Sequence, residues 1–217
     1  TIKDPAFWAL RLTGCNNSEI TGISILTDLM VPNADGIDID RCQNVRITKC
    51  RLITADDCIS LKSCAATSSY GAVENILISD CYMVSTSGAI TLGTESVGPI
   101  HNVIVTECVV KDSHRGFAVR AREGGTISNI LFEKSIVETR AFSESWWGHG
   151  EALHVTASSW DDPNTEWDPS QGNIERKYEG RVRDIKFSNI QAVSEAGLLV
   201  WAAKSELIEK VEFNQIK

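Results

Sequence analysis

The chain has 217 residues, of which 42% are hydrophobic and 23% charged, and its 29 acidic and 21 basic side chains give a net charge of -8. That length suits one sizeable domain, and the acidic balance argues against nucleic acid or an anionic membrane as a partner, because both need a basic face. No stretch approaches the roughly 18 consecutive apolar residues of a membrane span. The opening residues lack a signal-peptide core, so we expect a mature, processed or partial chain.

One short pattern recurs along the chain: an Asn, an apolar residue, any residue and a second apolar residue, with a small residue three positions later. Copies occur, in chain order, within Cys15–Thr27, from Asn44, Asn75, Asn102 and Asn129, and, without the Asn, from Asp184 and Lys210. The four Asn copies lie 31, 27 and 27 residues apart. Within each copy apolar and polar residues alternate, which indicates a strand with one buried face.

A repeat of about 27 residues, built from short strands with no helical stretch between them, predicts an all-β fold of the parallel β-helix type. Equivalent positions of successive coils then stack at roughly 4.8 Å, the spacing of paired strands. We expect one such domain over 1–217. The stretch from about 141 to 180 breaks the period and is predicted to form a Trp-rich loop insertion.

Stacking accounts for most of the seven cysteines. Two buried columns of small thiols are predicted: Cys50, Cys81 and Cys108 in one, Cys15 and Cys42 in the other. The spacing shows no zinc pattern. A disulfide between Cys58 and Cys64 is an open alternative for that pair.

A second strand follows each turn, and its alignment predicts a charged strip along one face of the helix. One corner of successive coils holds Asp35, Asp57, Gly88, Arg115 and Glu151, and the positions just beyond the strand hold Asp40, Lys62, Gly93 and Arg120.

Three carboxylates, those of Asp35, Asp56 and Asp57, are predicted to meet where two coils stack. Like charges held that close raise at least one pKa, which places a protonated acid beside a charged base. Such a pair suits glycosidic bond hydrolysis, and inversion calls for carboxyls roughly 6.5 to 9.5 Å apart. An isolated Asp35 before Gly36 would only indicate a turn, but the convergence of three acids favours a functional cluster.

Asp38 and Asp40 follow Asp35 on the same strand. We expect both to point outward and to be solvated or to bind a sugar hydroxyl, without a catalytic role.

Two motifs carry a resemblance to a known family. Pro-Asn-Ala-Asp-Gly-Ile-Asp-Ile-Asp at 32–40 and Asp-Asp-Cys-Ile-Ser-Leu-Lys-Ser at 56–63 closely resemble the signature of the polygalacturonase family, glycoside hydrolase family 28, and looser similarity continues through 87–95 and 115–122. The resemblance covers roughly residues 1–200. It implies a single-stranded right-handed parallel β-helix, secreted or periplasmic, that hydrolyses α-glycosidic bonds of pectic or related plant polysaccharides with inversion and without metal or cofactor.

The resemblance also implies roles for individual residues. Asp56 looks like the general acid that protonates the leaving oxygen, and Asp35 and Asp57 look like the pair that activates water. Asn33 would orient the cluster, and Lys62 would contact a substrate carboxylate or hydroxyl.

The chain departs from the family motifs at two places that bear on substrate. Thr86-Ser87-Gly88 replaces Gly-His-Gly, and Ala118-Val119-Arg120 replaces Arg-Ile-Lys. A histidine and one cation are therefore missing, and a neutral or differently decorated sugar becomes an alternative to galacturonate. His114, Arg120 and Arg122 remain as candidate substrate-binding residues, His114 either replacing the lost histidine or merely solvated.

The segment 146–151, Trp-Trp-Gly-His-Gly-Glu, resembles one in bacterial relatives of the family. Trp147 is expected to offer a flat face to a sugar ring or, alternatively, to pack on the coil, and Glu151 to bond a hydroxyl.

Two other functions stay open: a carbohydrate-binding β-helix without turnover, and a polysaccharide lyase on the same scaffold. An uncapped first coil would expose strand edges. We therefore expect either a piece of a longer enzyme or self-association through the N-terminal coil.

Overall fold

The computed structural model describes residues 1–142, 148–159 and 178–217, which form a parallel β-helix. Each strand pairs in parallel with the equivalent strand of the next coil. The fold predicted from the repeat is therefore confirmed. Among the described residues no helix is long and apolar enough to cross a membrane.

The strands fall into three rows. The groove sheet contains β2 (Leu10–Thr13), β5 (Ile37–Asp40), β8 (Ile59–Ser63), β11 (Gly88–Ser96), β14 (Arg115–Ala121), β17 (Glu151–Ala157) and β19 (Gly197–Ala202). The second row contains β1 (Ile2–Lys3), β4 (Ser24–Leu26), β7 (Arg51–Thr54), β10 (Tyr82–Ser85), β13 (Val109–Ser113) and β16 (Ile136–Thr139). The third contains β3 (Asn16–Thr21), β6 (Gln43–Thr48), β9 (Val73–Ser79), β12 (Ile100–Thr106), β15 (Thr126–Glu133), β18 (Arg181–Ser194) and β20 (Ile208–Ile216).

The long strand β18 pairs with β15 along its first half and with β16 along its second, which joins the second and third rows into one sheet. Two 3-10 turns, Ala65–Tyr70 and Ser205–Leu207, interrupt the strands. Within the predicted insertion at 141–180, residues 151–157 form β17, whereas 143–147 and 160–177 lie outside the described residues.

The recurring Asn of the sequence pattern forms a ladder on the outer surface. Asn44, Asn75, Asn102 and Asn129 all adopt φ between 54° and 58°, a left-handed conformation that Asn tolerates better than most residues. Each donates its side-chain amide to the carbonyl of the Asn one coil before, at 3.0 Å from Asn75 to Asn44, 3.2 Å from Asn102 to Asn75 and 2.7 Å from Asn129 to Asn102. The Asn therefore recurs in the sequence because every one of these coils makes the same turn.

The inward side chains of all three rows form one hydrophobic core inside the coils. Phe117, Phe132, Phe187 and Phe213 stack along it, with ring centroids 4.9, 5.0 and 5.2 Å apart. Stacked rings at the coil spacing bury a large apolar area per residue.

The cysteine columns are also present. Tyr82 N donates to Cys50 O and Val109 N to Cys81 O, which aligns Cys50, Cys81 and the neighbouring Cys108 in successive coils, and all three are buried. Cys15 N lies 3.3 Å from the sulfur of Cys42 in the second column.

The possible disulfide between Cys58 and Cys64 is wrong, since both are free thiols. Cys58 lies inside the coil, 3.2 Å from the Thr54 hydroxyl and from Val84 O. Cys64 is partly exposed at the far end of β8, 3.9 Å from an Arg11 nitrogen. The intervening strand β8 is extended and keeps the two sulfurs apart.

Candidate active site

Backbone pairing brings the three predicted acids together. Asp35 precedes β5, and Asp56 and Asp57 precede β8 in the next coil; Gly36 N donates to Asp57 O at 2.8 Å, which fixes this corner in register. The three side chains each place a carboxylate oxygen within 4.8 Å of the others. They are nearly enclosed, with exposed fractions of 2%, 7% and 8%.

The 4.8 Å figure is an upper bound on the distances between one carboxylate oxygen of each acid. The roughly 6.5 to 9.5 Å expected for an inverting glycosidase is measured between whole carboxyl groups. The geometry gathers all three acids at one corner of the groove sheet.

Burial is the main cause of the raised pKa values of Asp35 and Asp56 in the cluster. It raises the pKa of Asp56 to about 7, helped by the nearby charge of Asp57 and opposed by Lys62. Burial likewise raises the pKa of Asp35 well above its ordinary value, against the attraction of Lys62. The cluster therefore holds protons near neutral pH, as a general acid requires.

Asp57 is held differently, by hydroxyl donors. Its Oδ1 accepts hydrogen bonds from Thr91 Oγ1 at 2.8 Å and from Ser87 Oγ at 3.3 Å. Asp56 Oδ1 accepts from the backbone amide of Asp57 at 2.8 Å. These hydrogen bonds hold the two carboxylates in place.

Lys62 is the cation of the cluster and is buried among carboxylates. Its Nζ lies 3.2 Å from Glu95 Oε2 and 3.5 Å from both Asp35 Oδ2 and Asp38 Oδ1. Burial lowers the pKa of Lys62, but these carboxylates together raise it well above its ordinary value. Lys62 is thus placed to neutralise the acids, and the role of contacting substrate stays a proposal.

Asp38 and Asp40 do not point to solvent as expected, since both side chains are fully buried. Asp38 faces Lys62, and burial raises its pKa to about 6. Asp40 accepts hydrogen bonds from Arg11 Nη2 at 2.7 Å and Thr67 Oγ1 at 2.9 Å. The preceding coil and the 3-10 turn at 65–70 cover this end of β5, which the repeat pattern alone does not show.

Asn33 lies in the turn before Asp35, half-buried and with φ 55°. Its left-handed conformation shapes the approach of the chain to Asp35. That placement is compatible with an orienting role.

The arginines expected on the open strip are instead covered. Arg115, Arg120 and Arg122 are all buried. Gly148 packs on the Arg115 side chain, where a Cβ would lie 3.0 Å from Arg115 Cγ. Gly180 packs on the backbone of Arg122, where a Cβ would lie 2.6 Å from the backbone nitrogen.

His114 is neither solvated nor exposed. Its Nε2 bonds to Gly148 O, its Nδ1 accepts from Phe142 N at 3.1 Å, and burial lowers its pKa. The ring therefore contacts the backbone of both Phe142 and Gly148.

Glu151 lies in the corner column and pairs with a residue that the sequence analysis missed. Its Oε1 lies 3.4 Å from Nδ1 of His154, and its Oε2 accepts from His149 N at 2.7 Å. Burial opposes ionisation, but these partners and Arg115 lower the pKa of Glu151 to about 2. His154 pairs in register with Ala118 on the groove sheet.

Trp147 lies outside the described residues, so its predicted sugar contact is not placed. A different aromatic pair flanks the acids. Phe7 and Trp8 stack with centroids 5.0 Å apart, and Lys62 Nζ lies 4.5 Å from the centroid of the Trp8 ring. Phe7 is 53% exposed. The sequence analysis missed this pair, although two consecutive aromatic residues just before β2 could have indicated it.

Within the described part of the chain, the only His, Cys, Asp or Glu group spaced for a metal ion is the same aspartate triad. Lys62 already supplies a positive charge 3.5 Å from Asp35, and burial favours protonated forms of Asp35 and Asp56. Hard cations prefer ionised oxygen ligands, so these residues do not fit one well.

Comparisons with known proteins give the family and the fold of the chain. The family model "Glycosyl hydrolases family 28" matches residues 1–141. A "Probable polygalacturonase" of Vitis vinifera is 38% identical over 63 residues, which cover 29% of this chain and 13% of that protein.

Two solved structures share the fold. A polygalacturonase from Erwinia carotovora has a TM-score of 0.73 at 16% identity and covers 97% of this chain, and an exopolygalacturonase from Thermotoga maritima has a TM-score of 0.64 at 22% identity and covers 96%. They confirm the right-handed parallel β-helix. The chain spans 50% of the length of each of these two proteins.

Proposed function

The chain belongs to glycosyl hydrolase family 28, and from this membership we propose that it hydrolyses α-glycosidic bonds in a pectic or related plant polysaccharide, with inversion. The observation that carries the proposal is Asp56: a buried carboxyl with a pKa of about 7 beside two further carboxylates. This is the arrangement that supplies an acid and a base at one sugar linkage.

In the proposed reaction Asp56 gives its proton to the leaving glycosidic oxygen. Asp57, supported by hydroxyl donors, takes a proton from the attacking water, and Asp35 is the second member of the pair that activates this water. Lys62 offsets the negative charge that the cluster gains when Asp56 has given up its proton. The burial and contacts already described support these roles, and the proposed reaction calls for no metal or cofactor.

The proposal leaves more than one sugar open for the substrate, although it names the type of glycosidic bond. The named relatives are polygalacturonases, which supports galacturonate as a sugar of the polysaccharide substrate. Arg115, Arg120 and Arg122 are nevertheless buried, so the described residues of the groove expose little positive charge to a uronate. A polysaccharide with neutral sugars next to uronates fits both observations.

Product analysis tests the activity. Incubation with defined pectic and other plant oligosaccharides, read by mass, should show products that have gained one water, and proton NMR of the first product should show the inverted anomer. An unsaturated product absorbing in the ultraviolet would replace hydrolysis with a lyase reaction. Binding without cleavage would leave a carbohydrate-binding protein.

Two further proposals concern where and with what the protein acts. A plant polysaccharide lies outside cells, so we propose that the protein is secreted or periplasmic, which cell fractionation tests. The first coil presents β2 and β3 with a pairing partner on one side only among the described strands. We propose that this edge pairs with a second copy.

A further inference from the structure

We propose that Thr91, assisted by Ser87, is a positioning residue that fixes the carboxylate of Asp57 as the base of the reaction. The inference rests on the proposed function, because it names what supports one of its acids. Neither hydroxyl was among the candidate site residues of the sequence.

The contact is made across coils. Thr91 lies on β11 and Asp57 at the corner before β8, one coil earlier, and Thr91 Oγ1 lies 2.8 Å from Asp57 Oδ1. Ser87 Oγ lies 3.3 Å from the same oxygen. Thr91 pairs in register with Ser60, so its side chain belongs to the column that forms the floor of the groove sheet.

Gly88 gives an independent sign that this contact is built into the fold. A Cβ at Gly88 would lie 2.5 Å from Thr91 Oγ1 and 2.6 Å from Asp57 Oδ1. Any other residue would therefore push the two groups apart. The corner has room for the hydrogen bond only because glycine stands there.

The hydrogen bonds to Asp57 distinguish its two carboxylate oxygens. Both side-chain hydrogen bonds found to the Asp57 carboxylate among the described residues end on Oδ1. Two donors on one oxygen restrict the rotation of the carboxylate, and we assign the acceptance of the proton from water to Oδ2. Holding a base within a few tenths of an ångström is what an oriented proton transfer needs.

The charged groups around Asp57 make its support necessary. Asp35 and Asp56 lie within 4.8 Å and Asp38 also repels it from the β5 side, while Lys62 attracts it. Arg115 stands at the same corner one coil beyond Gly88. In so crowded a cluster, a hydroxyl donor 2.8 Å from one oxygen of Asp57 fixes the position of that carboxylate among its neighbours.

The test is a set of threonine variants of the full chain. Thr91→Val removes the hydroxyl with little change of shape and should lower kcat about 10- to 100-fold while KM changes less than about twofold. The acid limb of the pH–rate profile should move to higher pH, since a carboxylate that loses a donor takes up a proton more readily. Thr91→Ser should restore most of kcat.

Thr106→Val is the matched control, because Thr106 also donates to a carboxylate, Glu133, at 3.3 Å, but on the third row of strands. It should leave kcat and the pH profile unchanged. A Thr91→Val protein whose pH profile equals that of wild type would overturn the inference.

A second measurement separates this inference from the proposed function. Carbon-13 NMR titration of the aspartate carboxyls follows the cluster whether or not substrate is cut. Thr91→Val should shift that titration and Thr106→Val should not. If wild type cleaves no glycan but the titration shifts, the function fails and the support of Asp57 stands; an unmoved titration overturns the support.

Discussion

At the level of single side chains, the chemistry of the site depends on which of its carboxyl groups are protonated. Asp56 is a buried carboxyl in contact with a charged neighbour, and both effects favour its protonated form. Lys62 limits the effect by supplying one positive charge to several acids.

Asp56→Asn should abolish hydrolysis, by at least about 100-fold in kcat, because an amide has no acidic proton to give to the leaving oxygen. The fold should persist, since the amide keeps an oxygen to accept from Asp57 N. Activity is measured by reducing ends released and fold by circular dichroism. Asp112→Asn removes the same charge at an exposed site beside Arg140 and should retain activity; an active Asp56→Asn protein would remove Asp56 from the role.

The same residue predicts how stability depends on pH. The pKa of Asp56 is about 7 in the fold against an ordinary value of 3.8, so the folded state binds the extra proton. Its contribution is fully present below about pH 4 and is lost as pH rises through about 7. Asp35 and Asp38 act in the same direction. Urea unfolding between pH 4 and 8 should therefore show a steeper loss of stability in wild type than in Asp56→Asn, and parallel curves would contradict the raised pKa.

At the level of strands and turns, the Asn ladder links the local conformation of each coil to its neighbours. Asn102 uses its side chain twice, donating to Asn75 and accepting from Asn129, while its backbone stays left-handed at φ 57°. One residue type therefore meets two requirements of the turn.

Asn102→Ala should lower the free energy of unfolding by about 1 to 3 kcal/mol, because Ala loses both side-chain hydrogen bonds and disfavours the left-handed backbone. Asn102→Gly loses the bonds but keeps the backbone freedom and should fall between Ala and wild type. Urea denaturation midpoints decide the order. Equal stability of the Ala and Gly variants would show that backbone conformation contributes nothing here.

The repeat made the residue columns and the meeting of the three acids predictable from sequence. Columns such as Cys50, Cys81 and Cys108, or Asp35 with Asp57, follow once the period is known, because strand pairing places equivalent residues one coil apart. The meeting of the three acids depends only on that register.

What the sequence missed depends on parts that do not repeat. Asp40 is buried by Arg11 and by the 3-10 turn, and Arg115 by the chain at Gly148, and these contacts join distant, irregular segments. Thr91 and Ser87 were missed for another reason. Thr91 lies in an ordinary strand position and Ser87 just before the same strand, and only the folded chain brings their hydroxyls to Asp57.

At the level of the whole molecule, self-association depends on the strands and apolar side chains of the first and last described coils. At the last described coil Leu198, Val200 and Phe213 are exposed apolar side chains. At the first coil Leu10 and Leu12 are only partly buried against the core. Open edges and apolar surface together favour association.

Sedimentation equilibrium should accordingly show a mass that rises with protein concentration above that of a single chain. The association should weaken little in high salt, since apolar contacts and strand pairing are not screened as surface charges are. A single-chain mass at every concentration would contradict pairing through the open N-terminal coil.

The three coils that build the site are stacked by backbone hydrogen bonds, so the spacing between acid, base and supporting hydroxyls is set by the ladder and not by the loops. A linear glycan lying parallel to the long axis would meet an equivalent set of positions at every coil. In the proposed reaction, exchange of loops at either side would alter which sugar is accepted, while the three acids would stay at the same coil corner. The fold would thus separate the choice of substrate from the proposed bond cleavage.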